Sequence, residues 1–158
     1  MAPRSIQFRI TVEPGPKERV FVPLPFDPDE VWGEKHVHRV SGTVNGLSVR
    51  GVVEAFGEAH GMVLGAAWRR DCGIGLGDEV DVMLAPEGPQ RDDIAEDIAA
   101  ALESEPAAGA FFDSLAQFYR KAYLRWIDGT KRRPDLRSER IAAMVQLLKA
   151  GCKERPRP

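Results

Sequence analysis

The chain has 158 residues, 43% hydrophobic and 29% charged, with a net charge of −2, which suits one ordinary globular domain or two small ones. No run of 18 apolar residues is present, which excludes a membrane-spanning helix, and the start MAPRSIQFRITVE lacks the apolar stretch of a secretory signal. Two cysteines 80 positions apart, Cys72 and Cys152, make neither a disulfide framework nor a zinc spacing, so a reduced, cytoplasmic protein is expected.

The charge is uneven. Residues 1–104 carry 10 Lys and Arg against 18 Asp and Glu, a net of −8, whereas residues 105–158 carry 12 against 6, a net of +6. Such asymmetry marks either two parts that attract each other or a face that binds anions or nucleic acid.

The first half reads as strands. In SIQFRITVE, Ile6, Phe8, Ile10 and Val12 share one face at a period of two. After a Pro-Gly-Pro turn, RVFVPLPF is a strand whose prolines argue for an edge position. Asn45-Gly46 lies between two β-branched runs and predicts a hairpin from about Val37 to Val53 with a type I′ turn. GEAHGMVLGA reads as a Gly-rich turn and a short strand.

Ala66 to Cys72 suits a turn or two of helix stopped by Gly73. Leu76-Gly77-Asp78-Glu79 then forms a tight turn, in which Gly77 takes a positive φ and Asp78 bonds the backbone beyond it. EVDVML follows as a strand with Val80, Val82 and Leu84 inward. These glycines separate helix, turn and strand. A phosphate-binding loop needs the reverse order, strand before helix.

APEGPQRD, residues 85–92, reads as a linker. Beyond it the period becomes helical. Asp93 and Glu96 match a capping box, and Ile94, Ile98, Ala101 and Leu102 form one face. A second helix is expected from about Phe111 to Ile127, carrying Leu115, Tyr119, Ala122, Tyr123 and Trp126, with Phe111 and Phe118 beside them and Gly129 at its end. Pro134 opens a third helix with the stripe Ile141, Met144, Val145 and Leu148, and Gly151 follows its last turn. Residues 153–158 are expected to fray. The boundaries predicted are thus a β-domain over 1–85, a linker over 86–92 and a helical domain over 93–152.

Few residues offer chemistry. His36 and His38 lack a third ligand at useful spacing, so no metal is expected, and no Gly-x-Ser-x-Gly elbow is present. Cys72 falls at a helix C-terminal end, which does not activate a thiol. No catalytic residue and no cofactor is assigned. The basic run LRWIDGTKRRPDLRSERI is the best candidate: Arg125, Lys131, Arg132, Arg133, Arg137 and Arg140 fall within 16 residues. Arg137 lies in line with Ile141 and Met144, so its guanidinium needs a partner. That partner is a carboxylate such as Asp113 or Asp128 or one in the acidic half, or else an anionic ligand. The candidate ligand-binding residues are Tyr123, Trp126, Lys131, Arg132, Arg137 and Arg140.

FDSLAQFYRKAYLRWIDGTKRRPDLRSERIAAMVQLLKAG resembles the C-terminal signature of the bacterial YdeI/OmpD-associated, or bacteriocin-protection, family. The resemblance falls on Phe112, Leu115, Tyr123, Trp126, Ile127, Lys131, Arg132, Arg137, Arg140, Ile141 and Gly151. Thr130 stands where that family usually has Ala, Leu136 where it has Thr, and one extra residue lies between Arg132 and Arg137. VSGTVNGLSVRG and GIGLGDEVDVML are similar to the small β-domain of unknown function that commonly precedes it. The resemblance implies an α+β fold, a small AbrB-like double-split β-barrel followed by three helices. It also implies a non-enzymatic binding or stress and bacteriocin-protection role, with a cleft between the two parts. The alternatives are an enzyme or binder acting on a small anionic metabolite near Trp126 and Arg137, and a weak nucleic-acid binder through residues 120–140. The partner is a small anionic ligand or a protein. The acidic half argues against duplex DNA, and the chain is expected to be a monomer or homodimer.

Overall fold

The computed structural model describes residues 4–156. Residues 157–158, part of the tail read as fraying, lie outside the described residues, as do 1–3. The chain divides into two compact units, Met1–Pro86 and Glu87–Pro158. Among the described residues no helix is long and apolar enough to cross a membrane.

Among its described residues the first unit has seven strands: β1 (Ile6–Thr11), β2 (Glu13–Pro14), β3 (Val20–Leu24), β4 (Arg39–Val44), β5 (Leu47–Phe56), β6 (Ala59–Leu64) and β7 (Glu79–Pro86). Every pairing is antiparallel, in the order β1-β7-β4-β5-β6-β3-β2, and the sheet curls into a nearly closed barrel. Closure is possible because the ten-residue β5 changes partner along its length. Its first half pairs with β4 and its end, from Val53, with β6. Two short helices, α1 (Pro28–Trp32) and α2 (Ala66–Cys72), interrupt the strands.

The alternation read in the sequence becomes the barrel's interior. Val12, Val22, Val40, Val44, Met62, Val80, Val82 and Leu84 are buried, with Phe8 and Ile10 packed against them. Each such side chain contributes about 1.5–3 kcal/mol on burial. The Asn45-Gly46 turn has both residues at positive φ, +50° and +80°, as a type I′ hairpin requires. Pro23 lies where β2 no longer pairs with β3, since β2 reaches only Val20 and Phe21. On its other side Pro23 pairs with Gly61 of β6, so β3 lies between β6 and the two-residue β2 and is not the edge strand its prolines suggested.

The glycine-punctuated stretch folds as helix, turn and strand. Gly73 ends α2 at φ +69° and Gly77 turns the chain at φ +86°. The Gly77 N–H donates to the Val12 carbonyl and the Val12 N–H to the Asp78 carbonyl, so this turn fastens the end of β1 to the start of β7. One detail differs from the sequence reading. The Asp78 carboxylate accepts from the Gly75 N–H behind it at 2.8 Å, not from the backbone ahead, because β7 already engages the amides that follow.

Among its described residues the second unit contains four α-helices where three were expected: α3 (Glu96–Ser104), α4 (Pro106–Ser114), α5 (Gln117–Asp128) and α6 (Pro134–Lys149). The segment expected from Phe111 to Ile127 is two helices, split by extended backbone at Leu115 and Ala116. The apolar spacing Phe111, Leu115, Tyr119, Ala122, Trp126 runs through the joint unbroken, so periodicity does not reveal it. Ser114 donates its hydroxyl to the Phe111 carbonyl, a local bond that competes with helix continuation. The capping box also sits one turn earlier than expected. Gln90 and Asp93 cap a single 3-10 turn at Arg91–Asp93, and α3 starts at Glu96 behind Ala95. The core of this unit is Ile98, Leu102, Phe112, Tyr123, Ile127, Met144 and Leu148.

Gly77→Val is expected to lower the stability of the barrel unit by about 1–3 kcal/mol, the strain of a β-branched residue at positive φ. A Cβ at Gly77 meets no atom within 4 Å, and the same holds at Gly75, whose φ is not in that region. Thermal unfolding of Gly75→Ala should therefore stay near wild type while Gly77→Val melts earlier.

Candidate functional site

Arginines hold the joints of the helical unit. Arg120 falls on the buried face of α5, three and seven residues before Tyr123 and Ile127. Its guanidinium donates to the Pro89 carbonyl at 2.8 Å and to the Glu87 carbonyl. Gly88, at φ +78°, lets that segment pass directly over it: a Cβ there would lie 2.9 Å from the guanidinium and 2.7 Å from Gln117. Arg91 reaches Asp113 with two bonds of 3.1 and 3.0 Å. Asp113, one carboxylate proposed for Arg137, is thus engaged elsewhere.

Arg137 has a partner, as its place on the apolar stripe demands. Nε and Nη2 donate to the two oxygens of Asp97 at 2.7 and 2.9 Å, and Nη1 approaches Asp128 at 3.5 Å. The fork joins α6 to the first turn of α3, with α5 as a weaker third member. Arg137 is 18% exposed and Asp97 50%. The guanidinium holds the Asp97 carboxyl below its usual value, and Asp97 raises Arg137 in turn. A shallow groove of about 380 Å³ lies between α3 and α6 beside this pair, lined by Asp97, Ala101, Ser104, Ser138, Ile141, Ala142, Val145 and Gln146.

The other candidates separate into three environments. Tyr123 is in the core; its hydroxyl donates to the Cys152 carbonyl at 2.7 Å, and burial pushes its ionisation up to about 12. Trp126 and Arg140 meet at the joint of α5 and α6. Arg140 donates to the Trp126 carbonyl at 2.5 Å, and its guanidinium lies 5.1 Å from the indole centroid. The guanidinium thereby satisfies a last-turn carbonyl of α5 and places positive charge at the negative helix end. Arg155 lies 4.5 Å from the same ring, and Lys153 lies 5.1 Å from the Tyr119 ring. Lys131 and Arg132 are exposed in the loop after Thr130, which is itself buried and bonded to the Ile127 carbonyl.

The structure thus brings Trp126 and Arg140 together, with Lys131 and Arg132 on the loop joining their helices. It commits Arg137 to Asp97 and Tyr123 to the core. Sequence reasoning passed over Arg120, Asp97 and Arg155. Arg120 had a signal, its i, i+3, i+7 alignment with Tyr123 and Ile127; Asp97 and Arg155 had none beyond their charge.

In the barrel unit His38 is buried and lies 2.5 Å from Asp29, whose carboxyl it holds below its usual value, while His36 is exposed. Among the described residues no three His, Cys, Asp or Glu side chains gather as a metal site.

The Arg137–Asp97 pair predicts a specific pH dependence. The native Asp97 value is depressed, so the pair stabilises fully above about pH 4, the ordinary carboxylate value, and that contribution is lost as pH falls through the lowered value. Arg137→Met and Asp97→Asn should each lower stability at pH 7, and the double variant should be no worse than the worse single. The coupling should be about 0.5–1 kcal/mol for so exposed a carboxylate. Denaturant unfolding of the four proteins at pH 7 and at a series of pH values below about 4 checks both the cycle and its weakening in acid.

Residues 8–84 match the profile of a domain of unknown function, DUF1905, and residues 93–151 that of the bacteriocin-protection, YdeI or OmpD-associated family. No curated protein matches the chain. The chain thus carries a match to DUF1905 followed by a match to the bacteriocin-protection, YdeI or OmpD-associated family, in that order.

Proposed function

We propose that the protein is a non-catalytic binding protein whose site is the α5–α6 end of the helical unit, where Trp126, Arg140, Lys131 and Arg132 receive an anionic ligand. The observation that carries this reading is the half-exposed Trp126 ring with two guanidiniums, Arg140 and Arg155, within 5.1 Å of its centroid. Two like charges on one ring repel each other, and an anion between them relieves that repulsion. Lys131 and Arg132 add charge on a loop where no ion pair holds them among the described residues.

Binding is favoured over turnover by the chemistry at Arg137. A general base works best with an ionisation near the working pH, whereas Asp97 is held ionised and low, with both oxygens occupied by Arg137. The family description speaks of protection and association and names no reaction. A protective role for this chain, and an AbrB-like type for its barrel, belong to the same proposal; the latter is supported by the Gly77-Asp78 turn leading into β7. A reducing, cytoplasmic setting is supported by the two free cysteines.

Inorganic phosphate and pyrophosphate are the probes. Pyrophosphate should raise the melting temperature of the wild type, more than phosphate does, through preferential binding to the folded state. The exposed double variant Lys131→Glu/Arg132→Glu should melt normally without ligand and lose most of that rise. An equal rise in both proteins overturns the assignment of the site.

A further inference from the structure

The anion-binding face continues along α5 as an aromatic and cationic strip. Phe118 is 63% exposed, an unusual position for a phenylalanine. Its ring meets Tyr119 edge-on, with centroids 5.2 Å apart. Tyr119 and Trp126 are seven residues apart and so share a helix face, about 10 Å apart along the axis. The segment after Gly151 runs beside them: Cys152 is held by Tyr123, Lys153 lies at Tyr119 and Arg155 at Trp126. Residues 105–158 carry 12 Lys and Arg against 6 Asp and Glu.

Resting on the binding reading above, we propose that the anionic ligand is a single-stranded nucleic acid, with bases on Phe118, Tyr119 and Trp126 and phosphates on Lys131, Arg132, Lys153 and Arg155. Accessible rings interleaved with cations are what an unpaired strand requires, because each base offers a π-face and each phosphate a charge. An acidic peptide satisfies the cations and leaves Phe118 without a role. A duplex hides its base faces, and the net −8 of residues 1–104 opposes its denser charge. In this arrangement Lys153 and Arg155 are displaced from the ring faces onto phosphates, so their contact with the rings orders the segment before the strand arrives.

The test is fluorescence anisotropy of a labelled twelve-nucleotide oligo(dT) and oligo(U) with the full chain at 50 mM salt. A duplex of equal length and a polyglutamate peptide serve as competitors. Single strands are expected to bind at least tenfold more tightly than either competitor, and to weaken steeply as salt rises to 200 mM. Phe118→Ala, at an exposed position, should weaken binding by about tenfold with an unchanged melting temperature. Loss of binding to all strands in a protein that still responds to pyrophosphate overturns this inference and leaves the anion site standing. Equal or tighter binding of duplex or polyglutamate, or unaltered affinity in folded Phe118→Ala, overturns it as well. If Lys131→Glu/Arg132→Glu keeps its pyrophosphate response, the underlying site assignment fails instead.

Discussion

The two-pronged bond from Arg137 to Asp97 sets the register of α6 against α3 in the helical unit. Helices of nine, nine, twelve and sixteen residues share one small core, and apolar contact alone permits them to slide and rotate. A planar guanidinium that meets a carboxylate with two parallel bonds permits much less. With α6 tied to α3 through residue 137, residue 140 arrives three positions later beside the last carbonyls of α5. Arg140 then takes the Trp126 carbonyl and lies against the indole. A rotation of α6 that broke the fork would also carry Arg140 away from Trp126.

The same solution recurs at the other joints. Arg91 holds the turn before α3 to α4 through Asp113, and Arg120 holds the Glu87–Pro89 segment through backbone carbonyls. The guanidiniums of these arginines are engaged within the unit. The positive charge that faces solvent is therefore a subset of the basic residues, concentrated on the α5–α6 loop and the segment after Gly151. The barrel unit closes by different means. Its strands supply regular backbone bonds, and at the Gly77-Asp78 turn β1 and β7 are joined by reciprocal amide–carbonyl bonds with Val12.

Much of the fold was legible in the residues. The alternation of β1 and β7, the Asn45-Gly46 turn, α2 from Ala66 to Cys72 and the Ile141–Leu148 stripe all follow from local periodicity and turn chemistry. The joint at Leu115–Ala116 was not legible, because the apolar spacing is continuous across it and Ser114 acts through a bond that exists only once α4 has formed. The candidate site was half legible. That Arg137 needed a partner follows from its place in the stripe. That the partner is Asp97, forty residues earlier, does not, because any of several carboxylates met the chemical requirement.

By itself the sequence determined that strands come first and helices after, the inward faces of most of them, and the cationic character of the second half. Those properties depend on residues within a turn or a strand of one another. Tertiary structure alone decided which arginines are engaged internally and which remain outward. It also placed Cys152, Lys153 and Arg155 beside α5 and made Tyr123 a core residue while leaving Trp126 and Phe118 in reach of solvent. These outcomes turn on which distant groups meet, and a charged or aromatic side chain has the same local signature whether or not its partner arrives.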